Sequence, residues 1–151
     1  MIRPQHLLLL IGFIVLGCKS SKQSNVAMYP IITFEKTTCF GACPAYLFKA
    51  YPDGSVTYIG KDYVTLVGDF KASISKEELS NMKSLFEEAD YFKFANVYSA
   101  NITDLPTTYL YFDNGIENKK ITDYHGAPES LKKLEEDVEA LINSINWEKA
   151  N

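Results

Sequence analysis

Clustered basic residues are what this chain most clearly lacks. Its 15 Lys and Arg are outnumbered by 19 Asp and Glu, for a formal charge of −4. No stretch packs cations closely enough for phosphate recognition, so no nucleic-acid partner is expected. Histidine is confined to two positions and cysteine to three, which leaves little for a metal centre. No G-x-S-x-G, H-E-x-x-H, Walker loop or dinucleotide fingerprint occurs, so no residue stands out as catalytic and no cofactor is expected. The longest apolar run, Leu7 to Gly17, falls short of the roughly 20 residues that span a bilayer.

That run has the length of a signal-peptide core behind a short segment carrying Arg3. It closes on Val15-Leu16-Gly17-Cys18, which resembles the lipobox of bacterial lipoprotein precursors. The resemblance implies cleavage before Cys18, which then carries the acyl chains. Several such chains anchor firmly, since each buried CH₂ contributes about 0.8 kcal/mol. Cys18 is followed by the polar stretch Lys19 to Asn25, a flexible tether by composition. Lys19 in place of an aspartate resembles lipoproteins released to the outer membrane. The expected organisation is a signal peptide over residues 1–17, a lipidated cysteine and tether over 18–29, and one domain over 30–148. The expected location is the bacterial cell envelope, on the periplasmic side of the outer membrane.

Nearly half of the chain is apolar and aromatics make up 13%, enough for one core. Alternation predicts strands over 31–36 and 46–51, then a Pro52-Asp53-Gly54 turn and a strand at Val56–Ile59. Gly60-Lys61-Asp62 reads as a connection and Tyr63–Phe70 as a fourth strand, with Gly68 as a bulge or end. Ser75-Lys76-Glu77-Glu78 has the form of a capping box, and Leu79, Met82, Leu85, Phe86 and Ala89 share a helical face. Residues 90–104 read as a loop pinned by aromatics. Strands are expected at 107–112 and 116–124 around Asp113-Asn114-Gly115. A helix follows from Pro128 to about Asn146, its apolar stripe opposite Lys132, Lys133, Glu136 and Glu139, with Trp147 as a lid. The fold class is therefore α+β: an antiparallel sheet in the order ββββ-α-ββ-α with two helices packed on one face.

Thr37 to Tyr46, T-T-C-F-G-A-C-P-A-Y, holds Cys39 and Cys43. In an exported chain two neighbouring thiols tend to be oxidised. Residues four apart on a continuous strand lie roughly 13 Å apart, whereas a disulfide needs Cα atoms within about 7 Å. The bond therefore requires a turn, which Gly41 permits and Pro44 helps to close. Such a small loop contributes only about 2 kcal/mol. A redox-active pair is the alternative, although C-x₃-C is not the thioredoxin spacing and no basic residue lies between the cysteines. Metal binding by both cysteines and His125, with Asp62, Asp104 or Asp123 as a fourth ligand, is a further alternative that matches no zinc spacing. Asp104-Leu105-Pro106-Thr107-Thr108 and Asp123-Tyr124-His125-Gly126-Ala127-Pro128 offer two readings. Either Tyr46, Asp104, Asp123 and His125 line a polar ligand or partner site beside the cysteine loop, or the two aspartates make local turn and cap hydrogen bonds.

The segments T-x-C-F-G-x-C-P-x-Y, Y-x-D-G-x-V-x-Y, D-L-P-T-T and D-Y-x-G-A-P-x-x-L-x-x-L-E stand at Thr37–Tyr46, Tyr51–Tyr58, Asp104–Thr108 and Asp123–Glu135. Together they resemble the domain of unknown function 6438 family, found in secreted and lipid-anchored bacterial proteins. That resemblance implies a domain and a location but no activity, and His125 stands where relatives resemble a glycine-rich turn, which speaks against catalysis by it. The expected function is a non-catalytic binding or interaction module of the envelope, with an envelope protein or a small ligand as partner. Two alternatives are a thiol–disulfide or metal protein using Cys39 and Cys43, and an interaction domain that presents Tyr46, Tyr51, Tyr58 and Tyr98 at its surface. Cys18→Ala should abolish acyl labelling and release the protein from membranes; unchanged retention in the membrane fraction would refute the anchor.

Overall fold

Alternating burial builds the sheet. In Ile32–Lys36 (β1), Ile32 and Phe34 are completely buried while Thr33 and Glu35 face the other way. The same period of two turns Tyr46, Phe48 and Ala50 inward from Ala45–Ala50 (β2), and Val56 and Tyr58 from Ser55–Asp62 (β3). The computed structural model describes residues 28–151, so Cys18, the signal segment 1–17 and the tether up to residue 27 lie outside the described residues. The order continues with Gly68–Ser73 (β4), Lys76–Glu88 (α1), Val97–Tyr98 (β5), Thr108–Asp113 (β6), Asn118–Asp123 (β7), Glu129–Ser144 (α2) and Glu148–Lys149 (β8).

One sheet takes all eight strands in the order β5-β7-β6-β1-β2-β3-β4-β8. Every pairing is antiparallel except β5 with β7. The sheet is thus wider than the expected six strands, because a two-residue strand closes each edge. Neither is visible as periodicity, since two residues cannot show one. Leu79, Met82 and Phe86 of α1 and Leu131, Leu134, Val138 and Ile142 of α2 join the inward residues of the sheet in a single core. Phe86 stacks on Phe112 at 4.4 Å, and burial of each such side chain contributes about 1.5–3 kcal/mol. Among the described residues, no helix is long and apolar enough to cross a membrane.

Local chemistry accounts for the boundaries. Ser75 Oγ accepts from the Glu78 amide and the Glu78 carboxylate accepts from the Ser75 amide, a complete capping box for α1. Asp53 Oδ1 accepts from the Ser55 amide and hydroxyl, which sets the turn between β2 and β3. Residues 114–117 make a four-residue turn in which Asn114 Oδ1 accepts from the Ile116 and Glu117 amides. After α2 the backbone extends at Ile145, so the helix stops at Ser144 rather than Asn146. Trp147 swings back onto the sheet, 5.5 Å from Tyr58 and 6.2 Å from Phe48, and donates to the Ile142 carbonyl. In the segment 90–104, Tyr91 is the pin: it is buried and its hydroxyl donates to the Leu110 carbonyl at 2.6 Å.

The third and fourth strands differ from the sequence expectation. β3 runs through Asp62, and residues 63–67 form a loop, with Tyr63 in the left-handed region. Gly60 explains the shift, because it is a strand residue that serves a close approach. The loop folds back so that a Cβ on Gly60 would overlap the Leu66 carbonyl oxygen. Backbone cannot yield there as a flexible side chain would. Gly60→Ala should therefore lower stability by about 2 kcal/mol or more, read as a reduced urea midpoint; an unchanged midpoint would mean that the loop moves freely.

Candidate functional site

One row of the sheet breaks the apolar pattern. Asp123 of β7 is registered with Thr108 of β6, Thr108 with Lys36 of β1, and Lys36 with Tyr46 of β2. All four lie on the helix-bearing face, at the end of the sheet where the cysteine loop leaves β1. Aspartate and lysine under a helix need partners, and α2 supplies them. Glu139 Oε1 accepts from the Tyr46 hydroxyl at 2.7 Å, and its Oε2 pairs with Lys36. Lys132 pairs with Asp123 Oδ2 and reaches Glu135 at 3.4 Å.

The floor of this arrangement is under-satisfied. Asp123 and Glu135 are buried, with 2% and 6% of their surface exposed. Asp123 Oδ1 and Glu135 Oε1 receive no donor from any other group, so the two carboxyl groups are left to share a proton between them. Burial, with Asp123 adding to it against the pull of Lys132, pushes the Glu135 carboxyl up to about 7. In its protonated form Glu135 can donate to Asp123. Burial alone would lower the Lys132 ammonium, but Asp123 and Glu135 more than offset it and raise it. Tyr46 is raised above the usual phenol range by burial and then by its bond to Glu139.

The cysteine loop forms the wall. Cys39 and Cys43 are joined in a disulfide with Cα atoms 5.7 Å apart, so the chain does turn between them. Two hydrogen bonds zip this loop to the segment before β6: the Thr37 amide donates to the Thr107 carbonyl at 3.0 Å, and the Thr107 amide to Thr37 Oγ1 at 2.9 Å. The Phe40 amide donates to the Asp104 carbonyl. From the third segment, the Tyr124 hydroxyl donates to the Ile102 carbonyl at 2.6 Å. Between them lies a cleft of about 430 Å³ whose lining includes Lys36, Cys43, Pro44, Asp123, Lys132 and Glu135. A larger depression of about 640 Å³ lies across Pro44 and Glu139, walled by Tyr58, Tyr63 and Trp147. It lacks the buried carboxyl pair, so the smaller cleft is the better candidate.

Residues 30–142 match the family described as "Domain of unknown function (DUF6438)". The chain belongs to this family. No curated protein matches it. In this DUF6438 domain, segments far apart in sequence therefore meet around one cleft: the cysteine loop, D-L-P-T-T and D-Y-x-G.

The four candidate residues fare differently. Asp123 lines the cleft, and Tyr46 sits one strand beyond Lys36, coupled to the cleft through Glu139. Asp104 and His125 are exposed and do not line it. Asp104 adopts φ 72° and accepts from its neighbour Thr103, a local role. The local-cap reading fails for Asp123, whose partner is Lys132 on α2. A tyrosine contact surface loses two of its four members: Tyr46 and Tyr58 are buried, stacked 5.2 Å apart, while Tyr51 and Tyr98 are half-buried. Among the described residues, no three or more His, Cys, Asp and Glu side chains gather in metal-binding geometry.

Sequence reasoning missed the contribution of α2. Glu139, placed on the solvent face, turns to the sheet. Glu135 was overlooked although the signal was present: it lies four residues after Leu131 and three before Val138, inside the apolar stripe. A carboxylate at a stripe position is a buried charge awaiting a partner. The folded state holds the Glu135 proton more tightly than the unfolded chain does, from an ordinary 4.5 to about 7. This contribution to stability is therefore full below about 4.5 and lost as pH rises through about 7. Glu135→Gln should flatten that fall in urea unfolding followed across this window; an unaltered slope would remove Glu135 as its source.

Proposed function

We propose that this DUF6438 protein is a non-catalytic binding module of the cell envelope, held on the periplasmic side of the outer membrane by a lipid on Cys18. In this reading, the cleft beside the disulfide loop receives the partner. One observation carries it: the cysteine loop, D-L-P-T-T and D-Y-x-G converge on a cleft that lies over a buried pair of carboxyl groups, Asp123 and Glu135. Two carboxyl groups buried side by side are a poor way to stabilise a fold, and local conflicts of this kind are retained at functional sites.

The non-catalytic part of the reading is supported by how the reactive groups are engaged. The two thiols are bonded to each other. The Tyr46 hydroxyl is held by Glu139, and Asp123 lies under Lys132. His125 stands outside the cleft. Loops at one end of a rigid sheet are the usual place for recognition.

A photo-crosslinking residue at position 105, on the cleft rim, tests this in intact cells. It should give a discrete adduct. The same residue at position 116, in the turn at the opposite end of the sheet, should give none. Equal labelling from both positions, or none from 105, would overturn the cleft as the binding site.

A further inference from the structure

We propose that the helix-free face of the sheet rests on the headgroup layer of the phospholipid bilayer that receives the lipid on Cys18. The inference deepens the envelope reading above and rests on its anchor.

The strand residues that alternate with the core build this face. Both helices pack on the opposite side, so no layer of the domain covers it. Strand register sets Lys120, Tyr111, Thr33, Lys49, Thr57 and Lys71 side by side in one row, from β7 across to β4. Three of these six are lysines, in a chain whose formal charge is −4. Among the described residues, Lys49, Lys71 and Lys120 form no ion pair. Lys120 lies over the Tyr109 ring at 4.2 Å. The row ends at the sheet edge on Glu148, beside Lys71. In the adjoining row Glu35 is already paired with Lys61, and Asp69 stands out at β4. Anionic headgroups supply the counter-charge that the lysine row lacks.

The aromatic residues of this face suit the same boundary. Tyr29 and Pro30, with Tyr109 and Tyr111, border a depression of about 320 Å³ in it. A tyrosine ring is apolar and its hydroxyl is polar, the combination favoured between acyl chains and water. Lysine stems lie along such a surface and hold the ammonium outward.

The entry of the chain is what selects a bilayer as the occupant. Tyr29 and Pro30 lie against this face and not against the helices. Cys18 and Tyr29 are 11 positions apart, a reach of at most about 40 Å. A tether that short holds the face near the surface at an effective concentration on the order of millimolar. A weak contact is then sufficient. The cleft beside the disulfide loop belongs to the helix-bearing face, so lipid and partner can be engaged together.

The test uses the acylated protein in vesicles of phosphatidylethanolamine and phosphatidylglycerol. A photo-crosslinking aromatic residue is placed at position 111 on the face, or at position 133 on the exposed side of α2. Position 111 should give phospholipid adducts, identified by mass, and position 133 should give none. Lys49→Gln, Lys71→Gln and Lys120→Gln together should reduce the adducts about fivefold or more while the protein still floats with the vesicles. High salt should do the same to the protein without these substitutions. Equal adducts from both positions, or none from 111 on floating protein, would overturn the proposal and leave the anchor standing. So would adducts that neither salt nor the triple substitution diminishes. Protein–protein adducts from 111 that grow with protein density would assign the face to a second copy and also overturn it. Absence of acyl chains on protein isolated from membranes would refute the anchor and the proposal together.

Discussion

Glu139 holds this domain's polar end together. It accepts from Tyr46 with one oxygen and pairs with Lys36 through the other, so one carboxylate on α2 grips two neighbouring strands of the sheet. The apolar stripe of α2 explains why the helix lies on the sheet, but an apolar contact is non-directional and permits sliding. The charge-assisted bonds of Glu139 specify the register of helix on sheet. That register puts Lys132 over Asp123 and turns Glu135, one helical turn before Glu139, into the interior. The cleft is a consequence of this seating.

The same constraint carries a cost in stability. A buried acid pair under a single ammonium is a poor way to stabilise a core, because removing charges from water costs more than such a pair returns. The domain tolerates it at the edge of a large aromatic core built from Phe34, Phe48, Phe86 and Phe112. Strain of this kind concentrates where a molecule meets its partner. The disulfide contributes little energy, but it keeps the loop bearing Phe40 in one shape and supplies Cys43 to the wall of the cleft. The hydrogen bonds between Thr37 and Thr107 then bind that loop to the opposite rim.

Much of this was legible residue by residue. Alternation at Ile32–Lys36 and the Pro52-Asp53-Gly54 turn identified the strands, and Ser75-x-x-Glu78 marked the start of α1 within a residue. Where the reading failed, local pattern and tertiary contact disagreed. Gly60 looked like a connection because glycine usually punctuates; it lies within a strand because another backbone passes over it. Glu139 looked solvated because charge beside lysines on a helix usually is. β5 and β8 are too short to carry a period at all. Among the candidate residues, Asp123 reached the cleft, whereas Asp104 and His125, close to it in sequence terms, stayed outside.

The amino-acid sequence by itself determined the α+β class, the longer strands and both helices, the turn between Cys39 and Cys43 and the family, because periodicity, turn chemistry and chain reach act over a few residues. Only the tertiary structure decided that Asp123, Glu135 and Lys132 share one site and that Tyr46 is a buried strut rather than an exposed contact. Those facts depend on the register of four strands and the seating of α2, distances that no local pattern encodes.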